Sequence, residues 1–353
     1  MARRWPLILP AVTAVLLLSA APVLACGGLI GPNGAVNLLR TTTFAGYHDG
    51  VEHYVTAFEY AGGGGAFGTL TPLPGVPSSV EKGGDWTLQR LLLETDPPPP
   101  FALEDAARFS AAGSAEELMK VRIDALDLTV LRGGAVEVGQ WAKDHGFRLP
   151  PDAPEVLDFY AARSPIFLAA AFDPTAAADR GQGIGDGTPV HITIPTPNPW
   201  VPLRILALGK TSAEPVQADV YLLTDRRPTI LPVARGSNGI GLAHSQAATD
   251  SLLADLRSDR GMEWVPERAW LTKIEVDATA GQLRYDLAID ATGQAAPSRH
   301  QAGLDVAAPA GTSDAPVDTG RLATTLAIIV AGIALLGILV TSRPAGGRTS
   351  PIP

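Results

Sequence analysis

The alternation of hydrophobic and polar positions is clearest around the dipeptide Asp49-Gly50. Strand-like residues 37–47 (NLLRTTTFAGY) lead into this dipeptide, and residues 51–60 (VEHYVTAFEY) lead out of it. An Asp-Gly pair supplies the positive φ angles that a type I′ turn requires. The pattern therefore predicts a β-hairpin with a two-residue turn.

A second alternating stretch, residues 119–131 (MKVRIDALDLTVL), changes its phase between Ala125 and Leu126. One extra residue in a strand moves every later side chain to the other face of the sheet. The stretch therefore predicts a single strand that contains a β-bulge.

The rest of the chain between its two apolar ends mixes helical and strand periods without a detectable repeat. The predicted helices are residues 86–94, 136–145, 155–163 and 247–257. The predicted strands of the second half are residues 190–194, 203–208, 216–223, 270–276 and 283–289. We expect Asp85 and Asp152 to cap the first and third helices and Gly146 to end the second. The predicted fold class is α+β, mainly antiparallel β with a few short helices.

An uncharged run, residues 322–340 (LATTLAIIVAGIALLGILV), lies near the C-terminus. About 19 helical residues span close to 30 Å, the thickness of the hydrocarbon core of a bilayer. Arg343 and Arg348 follow the run, which fits the positive-inside bias. We predict a transmembrane helix at residues 322–342 and a short cytoplasmic tail at residues 343–353. A buried core helix is the alternative.

Residues 1–25 have the features of a secretory signal peptide. Arg3 and Arg4 form a positive n-region, residues 7–18 form an apolar h-region, and Ala25 completes a cleavage site of small residues. An uncleaved anchor is the alternative, but the h-region is short for a membrane span. The sequence thus predicts export of the N-terminus and type I topology.

Cys26 follows the predicted cleavage site, where Val-Leu-Ala-Cys resembles a lipobox. A diacylglycerol on this cysteine would attach the chain to the bilayer a second time. Since Cys26 is the only cysteine, no disulfide can form within one chain. Lipidation of Cys26 stays open beside a free N-terminal thiol.

The two ends leave residues 26–290 as the predicted extracytoplasmic domain. Residues 291–321 connect it to the membrane and are rich in Ala, Gly, Pro and Asp, with few large apolar side chains. Such a segment buries too little surface to offset the entropy of ordering. We therefore predict a flexible stalk there.

The charge of the chain excludes several kinds of partner. The formal net charge is −9, and Lys and Arg form no block. Nucleic-acid binding needs a basic surface that displaces counterions, so we expect none. The glycine runs 62–65 and 181–187 lack the Gly-Lys-Ser/Thr of a phosphate loop, so we expect no nucleotide either. The bilayer is the partner that the sequence does indicate.

His48 and His53 flank the predicted hairpin turn and are the candidate metal ligands. In a two-residue hairpin His48 pairs with Val51 and His53 pairs with Gly46, so both imidazoles lie on one face. Diagonal neighbours are roughly 7–8 Å apart at Cα, within reach of one ion. Two histidines leave a zinc site short of ligands, so polar hairpin residues without a metal are the alternative. No other cofactor is expected.

Trp200 and Trp264 are the candidate ligand-binding residues, because tryptophan stacks on sugar faces. Partly buried core residues are the alternative interpretation of both. The sequence contains no Gly-x-Ser-x-Gly elbow, and Ser245 beside His244 is adjacent in sequence only. No catalytic residue is assigned, and a non-catalytic protein is the favoured hypothesis.

Several segments together resemble a bacterial family known as domain of unknown function 2330. These segments are residues 26–28, 35–60, 72–77, 83–86, 141–150, 221–225 and 270–272. The likeness extends over most of residues 26–289, although no short motif is specific by itself. The resemblance implies an exported, often membrane-tethered envelope protein, and it implies no activity and no catalytic residues.

These observations predict a non-catalytic protein of the cell membrane that displays its domain to an envelope protein or a glycan. Two alternatives stay open. One is an envelope hydrolase whose site is assembled from residues distant in sequence. The other is a subunit of a larger membrane complex, held through Ala323, Ala327 and Ala331 on one face of the span.

Overall fold

The computed structural model describes residues 28–31, 34–35, 41–58, 66–96, 119–179 and 188–305. The predicted signal peptide, Cys26, the transmembrane residues 322–342 and the tail 343–353 lie outside these ranges. Within the described residues, none of the helices combines the length and the hydropathy that a membrane span needs.

The described residues form a mixed α+β structure, as the sequence predicts. The strands are β1 (Gly28–Gly31), β2 (Gly34–Ala35), β3 (Thr41–His48), β4 (Val51–Phe58), β5 (Phe67–Leu73), β6 (Ser79–Lys82), β7 (Met119–Ile123), β8 (Leu126–Arg132), β9 (Ile166–Phe172), β10 (Thr188–Pro195), β11 (Trp200–Val201), β12 (Pro215–Thr224), β13 (Thr229–Leu231), β14 (Ile240–Ala247), β15 (Trp270–Thr279) and β16 (Leu287–Asp290). The helices are α1 (Thr87–Thr95), α2 (Ala135–Asp144), α3 (Ala153–Ala161), α4 (Pro174–Ala178) and α5 (Asp250–Ser258), with a 3-10 turn at Arg204–Ala207.

The strands form three sheets. The largest has the order β14-β15-β12-β3-β4-β10-β6, the second has the order β2-β1-β5-β9-β8-β7, and the smallest has the order β11-β16-β13. Neighbouring strands are antiparallel except β12 and β3, which run parallel. The expectation of a mainly antiparallel fold is therefore confirmed.

The two faces of the largest sheet enter different cores. On β3, Phe44 packs into a smaller core that α1 and α5 cover, whereas Ala45 belongs to the larger core. The larger core also takes in residues of the other two sheets and of α2 and α3. α5 contributes three fully buried leucines, Leu252, Leu253 and Leu256. Because burying a leucine stabilises by roughly 1.5–3 kcal/mol, this apolar face holds the helix against the sheet.

Residues 119–131 form a hairpin and not a bulged strand, so that prediction is wrong. β7 and β8 pair antiparallel, with Ile123 opposite Leu126. Asp124 occupies the turn at φ 58°, and its buried carboxylate pairs with Lys82 at 2.8 Å. A tight turn changes the phase of alternation just as an inserted residue does, so the pattern did not distinguish them.

The helix α1 is not capped by its sequence neighbour Asp85. Its first N–H groups instead point to Asp259, whose carboxylate accepts from the Thr87 backbone at 2.8 Å and from the Thr87 hydroxyl at 2.6 Å. Gly84 leaves room for this carboxylate, because a Cβ there would lie 2.0 Å from it. Gly146 ends α2 at φ 76°, as predicted.

Two predicted strands are replaced or shortened. Residues 203–208 contain the 3-10 turn, in which the backbone N–H of Leu203 donates to Asp286 at 2.7 Å. Of residues 283–289, only Leu287 onward pairs as a strand. The predicted helix 247–257 begins later, at Asp250, where the Thr249 hydroxyl caps the N–H of Leu252.

Residues 291–305 belong to the folded domain, so the predicted stalk cannot begin at residue 291. Ala302 is fully buried, and its carbonyl accepts from the backbone N–H of Asp286 at 3.0 Å. The carbonyl of Gln301 accepts from Arg163, which also forms a fully buried ion pair with Asp286. These polar contacts compensate for the poor apolar content of the segment. Residues 306–321 lie outside the described ranges.

Candidate functional site

The predicted hairpin is present with the predicted register. Asp49 and Gly50 both have positive φ, and β3 pairs with β4 so that His53 lies opposite Gly46. His48 and His53 therefore share a face. They do not converge, however, because His48 bonds Asp225 through Nδ1 at 2.7 Å while His53 turns to another residue.

The partner of His53 is His191, which the strand β10 brings alongside β4. Nδ1 of His53 lies 3.0 Å from Nε2 of His191. The ring centroids are 5.3 Å apart and the planes differ by 28°, so the two nitrogens point at each other in nearly one plane. This is the geometry of an N–H···N hydrogen bond, in which one neutral imidazole donates and the other accepts.

Close packing encloses this histidine pair. The Trp264 ring stacks on His53 with centroids 3.9 Å apart and planes within 5°. Gly46 admits the indole, since a Cβ there would lie 2.1 Å from it. Gly261 has φ +74° and approaches His191 so closely that a Cβ would lie 2.8 Å from Nδ1. The two glycines are therefore part of the site.

Both imidazoles are neutral at physiological pH. Burial, together with smaller contributions from the nearby His191 and His48, lowers the pKa of His53 to about 3. Burial also lowers the pKa of His191 to about 4, although Glu263 opposes this shift. A proton on either ring would lack water and would sit beside a second imidazole.

A metal ion at the His53–His191 pair would need a different arrangement of the side chains. Among the residues that the structure describes, no group of three or more His, Cys, Asp or Glu side chains is placed to hold a metal ion. The head-on contact of His53 and His191 also leaves no space for an ion between the two nitrogens. A metal held by His48 and His53 stays a prediction.

Glu52 lies beside His53 on β4 and points to the opposite face, towards the larger core. Its side chain is fully buried, and neither carboxyl oxygen makes a hydrogen bond within the described structure. Burial raises its pKa to about 8, and the backbone N–H of Trp200, which lies near the carboxyl without the geometry of a hydrogen bond, offsets only part of that rise. Glu52 is therefore mostly protonated at neutral pH.

The sequence also matches a known protein family. The profile of a family described as "Uncharacterized protein conserved in bacteria (DUF2330)" matches residues 69–289. The chain belongs to the DUF2330 family. The matched part of this DUF2330 protein includes His191 and Trp264, whereas Glu52 and His53 precede it.

No functionally curated protein matches the DUF2330 chain. Among solved structures, it is similar to baculovirus P35, with 9% identity, a TM-score of 0.39, and coverage of 72% of this chain and 97% of P35. A caspase-8/P35 complex also matches, with 8% identity, a TM-score of 0.36, and coverage of 71% and 95%. Both TM-scores are too low for the likeness to bear on function.

The two candidate tryptophans of the DUF2330 domain both pack on protein groups. Trp200 is fully buried and stacks on Tyr160 with centroids 5.8 Å apart, and the Arg163 guanidinium lies 5.0 Å from its ring centre. Trp264 is half-buried against His53. Binding of a sugar by these residues stays a prediction, and a ligand would have to displace those contacts at Trp200.

Sequence reasoning missed Glu52 and His191 as site residues. His191 lies 138 positions from His53, and only the pairing of β10 with β4 brings them together. Glu52 had a detectable signal, because strict alternation in β4 places it on the same face as Tyr54, which belongs to the larger core.

Proposed function

We propose that this DUF2330 protein is a single-pass protein of the bacterial cell envelope whose α+β domain lies outside the membrane. The uncharged run 322–340, followed by Arg343 and Arg348, supports an anchor with an inside C-terminus. The signal-peptide pattern of residues 1–25 supports export of the domain. The bilayer is therefore the first partner in this proposal.

We further propose that the domain binds an envelope protein or glycan and does not catalyse a reaction. The observation that carries this part is the use of the His53 and His191 nitrogens on each other, beneath Trp264. A general base must present its lone pair to a substrate at hydrogen-bond distance. The accepting imidazole has its lone pair occupied by this contact and cannot present it to a substrate, whereas the donating imidazole keeps a lone pair on its other ring nitrogen.

The location is tested with the full chain carrying a C-terminal tag. Protease added to spheroplasts should remove the domain and leave a small tagged fragment protected by the membrane. The double variant Ile328→Arg/Ile333→Arg should release the chain from the membrane, because each central arginine costs roughly 2.5–3.5 kcal/mol. The matched variant Ile328→Leu/Ile333→Leu should stay bound. Degradation of the tag together with the domain would contradict the proposal.

One observation favours an envelope hydrolase as a second candidate. Glu52 has a pKa near 8, and such perturbed carboxyls occur at catalytic sites. The detergent-extracted full chain and its Glu52→Gln variant are incubated with purified cell-wall sacculi. Release of soluble fragments by the natural chain alone favours the hydrolase. Cosedimentation of both chains without release favours the binding protein.

A further inference from the structure

The carboxyl group of Glu52 lies inside the domain without a hydrogen-bond partner from the protein. Its side chain is fully buried on the larger-core face of β4, and within the described residues neither carboxyl oxygen forms a hydrogen bond. Buried polar groups in proteins are almost always hydrogen-bonded, to the protein or to ordered water, because an unpaired group loses its hydration without compensation. The carboxyl of Glu52 therefore indicates that another polar molecule completes its hydrogen bonds.

The residues that lie opposite Glu52 on the adjacent strands do not donate to its carboxyl. On β10 the opposite residue is Ile194, which is apolar and fully buried. On β3 the opposite residue is Tyr47, whose hydroxyl donates its proton to the carbonyl of Thr196 at 3.0 Å. Neither neighbour can therefore supply the missing hydrogen-bond donor.

The polar group that does approach the carboxyl is the backbone N–H of Trp200 on β11. Trp200 lies opposite Ala288 of β16. The N–H of Ile289 donates to the carbonyl of Pro199 at 3.1 Å, and in an antiparallel ladder such a bond flanks a non-hydrogen-bonded pair. Trp200 therefore directs its N–H away from β16. Because β11 is an edge of the three-stranded sheet, this N–H leaves the sheet on the side of Glu52.

The N–H of Trp200 and the carboxyl of Glu52 are close to each other but do not form a direct hydrogen bond. Two polar groups in this relation are commonly bridged by a water molecule. A buried water needs roughly two to four polar partners, and the two carboxyl oxygens and the N–H meet this requirement. We propose that an internal water molecule binds between the carboxyl of Glu52 and the backbone N–H of Trp200, and so links the seven-stranded sheet to the three-stranded sheet.

The chemistry of the two groups favours water over a cation at this position. The N–H of Trp200 is a donor and presents its positive end to the site, which opposes a cation. A neutral carboxyl group has one O–H donor and further acceptor capacity. A water molecule both donates and accepts, so it can satisfy the two carboxyl oxygens and the N–H together. The inference is independent of the proposed function and of where the chain resides.

Nuclear magnetic resonance of the full chain in detergent micelles tests for this water. Pro199-Trp200 is the only Pro-Trp step in the sequence. Isotope labels on the carbonyl carbon of proline and on the nitrogen of tryptophan therefore single out the Trp200 amide in a carbonyl-to-amide correlation spectrum. A cross-relaxation peak should connect this amide to the water resonance, with the rotating-frame sign of a bound water and not of amide exchange. Absence of that peak overturns the proposal.

Two variants distinguish a bound water from a relay through the acid proton of Glu52, which itself exchanges with solvent. Glu52→Gln has no acid proton but keeps donor and acceptor atoms, so the water peak at Trp200 should persist. Glu52→Leu removes the polar atoms at similar volume, so the peak should lose most of its intensity. The signals of the other tryptophans show whether each variant is folded. Loss of the peak in Glu52→Gln, or its full survival in folded Glu52→Leu, overturns the proposal.

Infrared spectroscopy supplies an independent measurement that does not require Glu52→Leu to fold. The spectrum of the natural chain minus that of Glu52→Gln, recorded at slightly acidic pH, isolates the C=O stretch of the Glu52 acid. A hydrogen-bonded acid absorbs at a lower frequency than a free acid, and we expect the lower frequency. The frequency of a free acid would overturn the proposal. Carboxylate bands in place of the acid band would also overturn it and would indicate a bound cation.

Discussion

Single residues in this domain derive their properties from burial rather than from sequence neighbours. His53 and Glu52 are adjacent on β4, yet one faces Trp264 and the other faces the larger core. Burial keeps both uncharged near neutral pH, by lowering the imidazole pKa and raising the carboxyl pKa. Gly261 also depends on a neighbour in space, because its contact with His191 leaves no room for a Cβ atom and therefore requires glycine.

The variant Gly261→Ala should destabilise the domain more than its backbone conformation alone explains. The left-handed φ of +74° costs an alanine roughly 1–2 kcal/mol. The new methyl would also lie 2.8 Å from Nδ1 of His191 and force the imidazole pair apart. The matched control is Gly50→Ala, because Gly50 has φ +79° with nothing within 4 Å of its Cβ position.

Urea unfolding of both variants measures the difference. We expect Gly50→Ala to show the backbone cost alone and Gly261→Ala to lose at least about another 1 kcal/mol, the typical cost of forcing a group into a packed core. Equal losses of unfolding free energy in the two variants would mean that the contact with His191 adds nothing to the destabilisation.

At the scale of elements, local turn chemistry was predictable and long-range partners were not. The β3–β4 hairpin follows from Asp49-Gly50, because both turn residues adopt positive φ in the chain itself. The β7–β8 hairpin was not predictable, because Asp124 resembles no standard turn signal in sequence. The cap of α1 was assigned to Asp85, although the carboxylate that binds the first turn is Asp259, more than 170 positions later.

The cap of α1 yields a direct comparison of two aspartates. Asp259→Ala should lower the free energy of unfolding by about 1–3 kcal/mol, because it leaves the buried N–H and hydroxyl of Thr87 without their acceptor. Asp85→Ala should change it by less than about 0.5 kcal/mol, as surface substitutions do. Thermal unfolding followed by circular dichroism measures both. A larger loss of unfolding free energy for Asp85→Ala than for Asp259→Ala would mean that Asp85 caps the helix after all.

For the whole molecule, composition and periodicity predicted the α+β class and the antiparallel sheets. They could not predict the candidate site, because His53 and His191 meet only through the pairing of β4 with β10. They also placed the end of the domain too early. Ala302 and Gln301 are held by Asp286 and Arg163, and such polar anchoring leaves no hydrophobic signal in a sequence.

The buried ionisable groups together predict how stability depends on pH. Between about pH 4 and 6.5 His191 and His53 bind protons in the unfolded chain but not in the folded chain, so stability falls as the pH falls. Between pH 4.5 and about 8 unfolded Glu52 loses a proton that the folded chain retains, so stability falls as the pH rises. Each group contributes a slope of at most about 1.4 kcal/mol per pH unit.

Where the ranges overlap, two imidazoles oppose one carboxyl, so the net slope is positive up to pH 6.5 and negative above it. Stability should therefore be greatest near pH 6.5, as measured by urea unfolding of the full chain in detergent at a series of pH values. Glu52→Gln should remove the decline above pH 6.5 and preserve the decline below it. The exposed control Glu267→Gln should leave both slopes unchanged. A decline above pH 6.5 that survives in Glu52→Gln would assign it to another group, and the carboxyl of Glu52 would then be ionised in the folded chain.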